Sequence, residues 1–154
     1  MENKNTTNKN ILNSKLTLCS NNPLTGYTRT GKCETHSLDF GTHTVCAIID
    51  KNFLNFSKSQ GNDLTSVVKP GQKWCLCEKR WEEAYDAGYG PKVVLSATHN
   101  NVSPQIKKKI LQQKKNNDYS KKKIKNKKNQ KNKKNKKNQK NKKNKKNQKN
   151  KSKI

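Results

Sequence analysis

The stretch His43-Thr-Val-Cys-Ala-Ile-Ile49, running through Asp50 into Lys-Asn-Phe-Leu-Asn-Phe-Ser-Lys-Ser-Gln60 and stopped by Gly61, decides the fold class. Its first part is nearly continuous apolar sequence rich in β-branched residues, which fits a strand buried on both faces. Asp50 suits the N-cap of a helix over residues 51–60, with Gly61 as its C-terminal stop. Phe53, Leu54 and Phe56 give that helix an apolar side. Downstream, residues 61–73 read as a loop with Lys69-Pro-Gly71 as its turn, and Trp74-Cys-Leu-Cys77 leads into a second helix over 78–87, ended by Gly88. Cys77, Trp81, Ala84 and Tyr85 fall at i, i+4, i+7 and i+8, one stripe of an amphipathic helix. Glu78, Glu82 and Glu83 come early in it, where the helix dipole favours negative charge. Residues 92–98 read as a second strand. Ser103 as N-cap with Pro104 at the first position opens a last helix to about Gln113. Upstream, Asn21-Asn22-Pro23, Thr25-Gly26 and Thr30-Gly31 are turn chemistry. Elements mixed in this order, rather than strictly alternating, point to a small two-layer α+β domain of sandwich-like build.

The formal charge of +26 over 154 residues is very unevenly spread. From Lys107 onward there are 24 lysines and one acid, Asp118, whereas residues 1–106 carry a net charge of only +3. The basicity belongs to an appendage. From Asn126 the chain repeats Asn-Lys-Lys-Asn-Gln-Lys-Asn-Lys-Lys, a segment with nothing apolar to bury and strong self-repulsion, so no secondary structure is expected after about Lys115. Slippage in an AT-rich gene produces such repeats without selection. Three parts follow: residues 1–9 disordered, residues 10–112 folded, residues 113–154 a disordered Lys/Asn-rich tail. Met1 to Ser14 has no signal-peptide core, and nothing approaches a membrane span. The five cysteines, Cys19, Cys33, Cys46, Cys75 and Cys77, are an odd set without a secretory signal. Both points argue against a disulfide framework and for reduced thiols in the cytoplasm, with the nucleus as the alternative suggested by the tail.

Several dispersed motifs belong together. Leu24-Thr-Gly-Tyr-Thr-Arg-Thr-Gly31 with Cys33, Gly41-Thr-His-Thr-Val-Cys46, Phe53-Leu-Asn-Phe-Ser57, Gly61-Asn-Asp-Leu64, Lys69-Pro-Gly71, Trp74-Cys-Leu-Cys77, Arg80-Trp81 and Val93-Val-Leu-Ser-Ala-Thr-His99 resemble an uncharacterised family. It is catalogued as domain of unknown function 2237 and found in bacteria and some eukaryotes. The resemblance runs from about Asn10 to Leu111 and implies a compact two-layer α+β fold. It implies no activity. After Thr65 relatives carry a longer stretch before the Lys-Pro-Gly turn, where this chain has only Ser66-Val-Val68, which implies a more open pocket if that loop covers one. The basic tail is no part of the family pattern.

Two side-chain groups carry chemistry. Cys33, His43, Cys46, Cys75 and Cys77 are donors suited to tetrahedral zinc, but His43 and Cys46 on one strand would point to opposite faces. As buried small hydrophobes these cysteines need no function. Cys77 is the best reactive thiol because it precedes a helix N-terminus, with Cys75 as a resolving partner and Glu78 opposing the thiolate. The polar group is Arg29, Asp39, His43, Asn62, Asp63, Arg80, Thr98 and His99, at loops and element ends where binding residues concentrate. Arginine could bind a small anionic ligand, and His43 or His99 could act as a base. Asn62-Asp63 as a helix-stop turn, Arg80 in a surface ion pair and His99 as a strand-end residue are the bland alternatives. No P-loop, triad or dinucleotide turn is present, and the pattern names no reaction and no cofactor. The working reading is a small-ligand-binding or thiol-dependent domain using Arg29, His43, Asn62, Asp63 and Arg80 with Cys75 and Cys77. The alternatives are a structural zinc domain, or a non-enzymatic protein whose residues 114–154 contact nucleic acid non-specifically, since the tail has no arginine and a single aromatic, Tyr119.

Overall fold

A computed structural model of the chain describes residues 8–151. The expected disorder of residues 1–9 therefore lies mostly outside the described residues. Asn8 and Lys9 are held: the Leu16 N–H donates to the Asn8 carbonyl at 2.8 Å, and the Asn100 N–H to that of Lys9 at 2.8 Å.

The apolar run forms β1 (Val45–Ile48) and Asp50 caps α1 (Lys51–Ser59), its carboxylate accepting the Phe53 N–H at 2.8 Å. Next come β2 (Lys73–Leu76), α2 (Glu78–Asp86), β3 (Lys92–Val93), a 3-10 turn (Leu95–Ala97) and α3 (Pro104–Lys151). The sheet is antiparallel in the order β2-β1-β3, with Val45 opposite Leu76, Cys46 opposite Cys75 and Ala47 opposite both Trp74 and Val93. Alternation along these strands divides the interior. Val45, Ala47, Trp74, Leu76 and Val93 pack with Phe53 and Leu54 of α1, Trp81 and Ala84 of α2, and Ile106 and Ile110 of α3. Cys46 and Cys75 join Cys19, Cys33 and Ala97 in a second buried cluster, roofed by the turn-rich N-terminal segment. The domain is α+β, with helices on one face of a small sheet.

Three expectations change. Trp74-Cys-Leu is a strand in its own right, which shows only through its pairing with β1. The expected strand over 92–98 keeps just two ladder residues before turning, because the Thr98 hydroxyl donates to the Val94 carbonyl at 2.9 Å and accepts the Cys46 N–H at 3.1 Å. Finally, the last helix continues to Lys151 where no secondary structure was expected. Lysine, the commonest residue of this segment, is a good helix former, while asparagine, the next commonest, is a weak one. Burial nevertheless ends early: among the residues whose burial is described Ile110 is the last buried one, and Gln113 donates to the Gly90 and Pro91 carbonyls at 3.1 Å. The chain divides into Met1–Gln113 and Lys114–Ile154, and no residue of 114–145 is buried. Among the described residues no helix is long and apolar enough to cross a membrane.

Candidate functional site

The site begins with a loop that folds back on itself. The Asp39 side chain is 2% exposed and uses both carboxylate oxygens on one partner. Its Oδ2 accepts the His43 backbone N–H at 2.8 Å and its Oδ1 meets His43 Nδ1 at 2.7 Å. Burial pushes the Asp39 carboxyl up, but the His43 backbone and ring bonds, the charge attraction of His43 and the Gly41 N–H outweigh it and hold the group below its usual value. An ionised Asp39 fixes the proton of a neutral His43 on Nδ1, which leaves Nε2 as the lone-pair nitrogen. Gly41 makes room for this ring: a Cβ there would lie 2.6 Å from His43 Cε1.

His43 borders a pocket of about 250 Å³ lined also by Gly41, Asn62, Leu64, Trp74, Cys75, Leu76, Cys77 and Arg80. The end of α1 brings Asn62, whose N–H donates to the Ser57 carbonyl at 2.9 Å and whose amide nitrogen donates to Ser57 Oγ at 3.1 Å. The first turn of α2 brings Arg80, with one guanidinium nitrogen donating to the Gln60 carbonyl at 3.1 Å and to Glu83 at 3.2 Å. Cys77 is half-buried at the N-cap of α2 and carries a free thiol. His43, Asn62, Cys75, Cys77 and Arg80 thus come to one place.

The family model for domain of unknown function 2237, described as an uncharacterized protein conserved in bacteria, matches residues 9–115. The chain belongs to this family. No curated protein matches it. In this member of the DUF2237 family the match covers every residue that lines the pocket.

Four cysteines of this DUF2237 domain are paired rather than reduced. Cys19 bonds Cys46 across 27 residues and Cys33 bonds Cys75 across 42. This corrects the expectation of free thiols and of Cys75 as a resolving thiol for Cys77; while paired, Cys33, Cys46 and Cys75 offer no thiolate to a zinc set with His43 and Cys77. The odd count reflects one leftover cysteine, Cys77, and not a lack of pairing. The physical reason is strand alternation, which sends Cys46 and Cys75 to the face where Cys19 and Cys33 lie. Cys19 carried no motif, so nothing local marked it.

The remaining candidates lie outside the pocket lining. Arg29, at φ 56°, donates to the Gly26 carbonyl at 2.6 Å and sits 5.3 Å above the ring of Trp74, a pocket-lining residue. Asp63 serves its own turn: the Thr65 hydroxyl and N–H, then Lys58, lower its carboxyl to about 2. Glu78 is buried, accepting from the Thr44 hydroxyl at 2.8 Å and the Ser103 N–H at 3.3 Å, and so ties α2 to the start of α3. Thr98 is a fully buried structural hook.

His99 also lies away from the pocket lining. Its Nδ1 accepts the Asn101 N–H at 2.9 Å, which puts the proton on Nε2, 3.2 Å from Asn8 Oδ1. Burial lowers its pKa against the opposing pull of Glu34. A depressed histidine binds fewer protons folded than unfolded, so its contribution is complete above the unfolded value near 6.5 and fades as pH falls through the window below it. The urea midpoint is expected to drop between pH 7.5 and pH 5.5, and His99→Gln should flatten that drop. An equal slope in the variant would show that another group titrates.

Proposed function

We propose that this domain binds a small anionic molecule in the pocket and reacts with it through the Cys77 thiol, with His43 as the base and Arg80 as the anion anchor. The observation that carries this reading is that a free, half-buried thiol and an Asp39-oriented histidine line one small pocket. The arrangement follows the logic of an activated nucleophile, in which a base takes the proton and a third group orients the base. Here the Cys77 S–H proton would pass to His43 Nε2 as sulfur attacks an electrophilic carbon of the ligand, whose bond to its leaving group breaks with the electron pair departing on that group. A volume of about 250 Å³ lies below the usual range for drug-sized ligands, which favours a small substrate. The guanidinium, rather than an ammonium, suits carboxylate recognition. In a reducing compartment such as cytoplasm or nucleus the paired cysteines would open; Cys77 needs no such change.

Alkylation of the unreduced full-length protein, read by mass spectrometry, tests this. One adduct is expected, on Cys77, with anionic iodoacetate favoured over neutral iodoacetamide relative to their ratio on free cysteine. Arg80→Ala should remove that preference. His43→Ala should slow both reagents on the order of 10²-fold, the low end for general-base help, and Asp39→Asn should slow them as well. Rates matching free cysteine and indifferent to His43 would sink the reading.

A further inference from the structure

The buried cysteine cluster has chemistry independent of the pocket. The Sγ atoms of Cys19, Cys33 and Cys46 all lie within 4.8 Å of one another, and Cys75 Sγ is bonded to that of Cys33. The four residues are 0–3% exposed. They come from four separate stretches, two in the N-terminal segment and two directly opposite each other on β1 and β2. The opposed pair is not hydrogen-bonded to itself: the Cys46 N–H donates to the Thr98 hydroxyl and the Cys75 N–H to the Thr25 hydroxyl at 2.9 Å. Side chains at such positions approach most closely in an antiparallel pair. Both disulfides therefore do one mechanical job, fastening the N-terminal segment to the cysteine face of the sheet.

We propose that these four sulfurs are a redox-gated metal site: once both disulfides are reduced, Cys19, Cys33, Cys46 and Cys75 bind one zinc ion as a closed tetrathiolate. Zn–S bonds of about 2.3 Å place the sulfurs of a tetrahedral site roughly 3.8 Å apart; Cys19, Cys33 and Cys46 already lie within 4.8 Å of one another, and once reduced each bonded pair would part while Cys75 moves in toward the other three. Reduction by a dithiol supplies two electrons and two protons per disulfide and leaves four thiols, while the dithiol becomes its own disulfide. Zinc binding then releases four protons as the thiols become thiolates. The ion would restore the fastening that reduction removes, so the same face is closed in either redox state. His43 and Cys77 take no part.

The test uses full-length protein reduced with a phosphine, which is then removed without oxygen, and titrated with Co²⁺ as a spectroscopic stand-in for zinc. Expected are one Co²⁺ per chain with the visible bands of tetrahedral thiolate coordination, displacement by Zn²⁺, and a higher melting temperature of the reduced protein with Zn²⁺ than with chelator. Cys77→Ser and His43→Ala should bind equally, and Cys19→Ser should lose the tetrathiolate spectrum. Reduced wild-type protein that takes up no Co²⁺, or takes it up without those bands, overturns the site, as does loss of binding in Cys77→Ser. If Cys19→Ser does not fold, the wild-type and Cys77→Ser titrations decide. Cys77 alkylation in unreduced protein reads the pocket separately.

Discussion

Replacing Trp81 with alanine is expected to destabilise the domain by about 3–5 kcal/mol, the range for deleting a large aromatic from a core. Trp81 is fully buried in α2, stacked on Tyr85 with ring centroids 5.0 Å apart, and its indole N–H donates to the Pro91 carbonyl at 3.1 Å. Its loss would leave a void between helix and sheet and remove one of the two donors to the Pro91 carbonyl, which keeps Gln113. Native domains hold only about 5–15 kcal/mol in total, so the variant should melt tens of degrees earlier or fail to fold. Urea unfolding followed by circular dichroism measures this. A shift below about 1 kcal/mol, the size of an ordinary surface change, would mean that Trp81 is not the keystone of this layer. Trp74, 9% exposed, should cost less because part of its ring borders the pocket.

The second large effect is on the covalent links. Cys33→Ala with Cys75→Ala opens a loop of 42 residues. Chain-entropy reasoning assigns such a loop about 4 kcal/mol. Cys19–Cys46 closes 27 residues and overlaps it in sequence, so breaking both should cost less than twice that amount. Thermal unfolding with chelator present, with and without reductant, gives the total. The oxidised double variant should melt well below the oxidised parent, and reductant should shift the parent strongly. A parent indifferent to reductant would show that these sulfurs are not joined. The helix core on the opposite face should survive longest, since Phe53, Trp81 and Ile106 contact no cysteine cluster member in its packing.

What the chain discloses in advance depends on how local the cause is. β1, α1 and α2 could be read because each is specified within its own residues: an apolar run, the Asp50 cap, and the Trp81 and Ala84 stripe. β2 could not, since Trp74-Cys-Leu is too short to show a period and acquires its identity from a partner almost thirty positions away. The cysteine pairing is more remote still, and parity misled because Cys77 stands apart from the other four. In the site, Cys77, His43, Asn62 and Arg80 were legible as element-end residues and do converge. Arg29, Asp63 and His99 share that description, yet each satisfies local backbone or turn partners instead. Asp39 was visible as a polar loop residue, but its role depends on a backbone reversal, with Thr42 at φ 47°, that leaves no composition signal. Past Lys115 the chain has no apolar face, so no sequence pattern separates an exposed helix there from coil.

The long α3 has an electrostatic consequence. At about 1.5 Å of rise per residue, the lysines of residues 114–145 set roughly one positive charge along every 3 Å of axis. Double-stranded DNA, at about one charge per 1.7 Å, condenses counterions at comparable density. A rod charged this heavily is a polyelectrolyte: it gathers its own cloud of anions, and its helical fraction becomes a function of the surrounding ionic strength as much as of its residues.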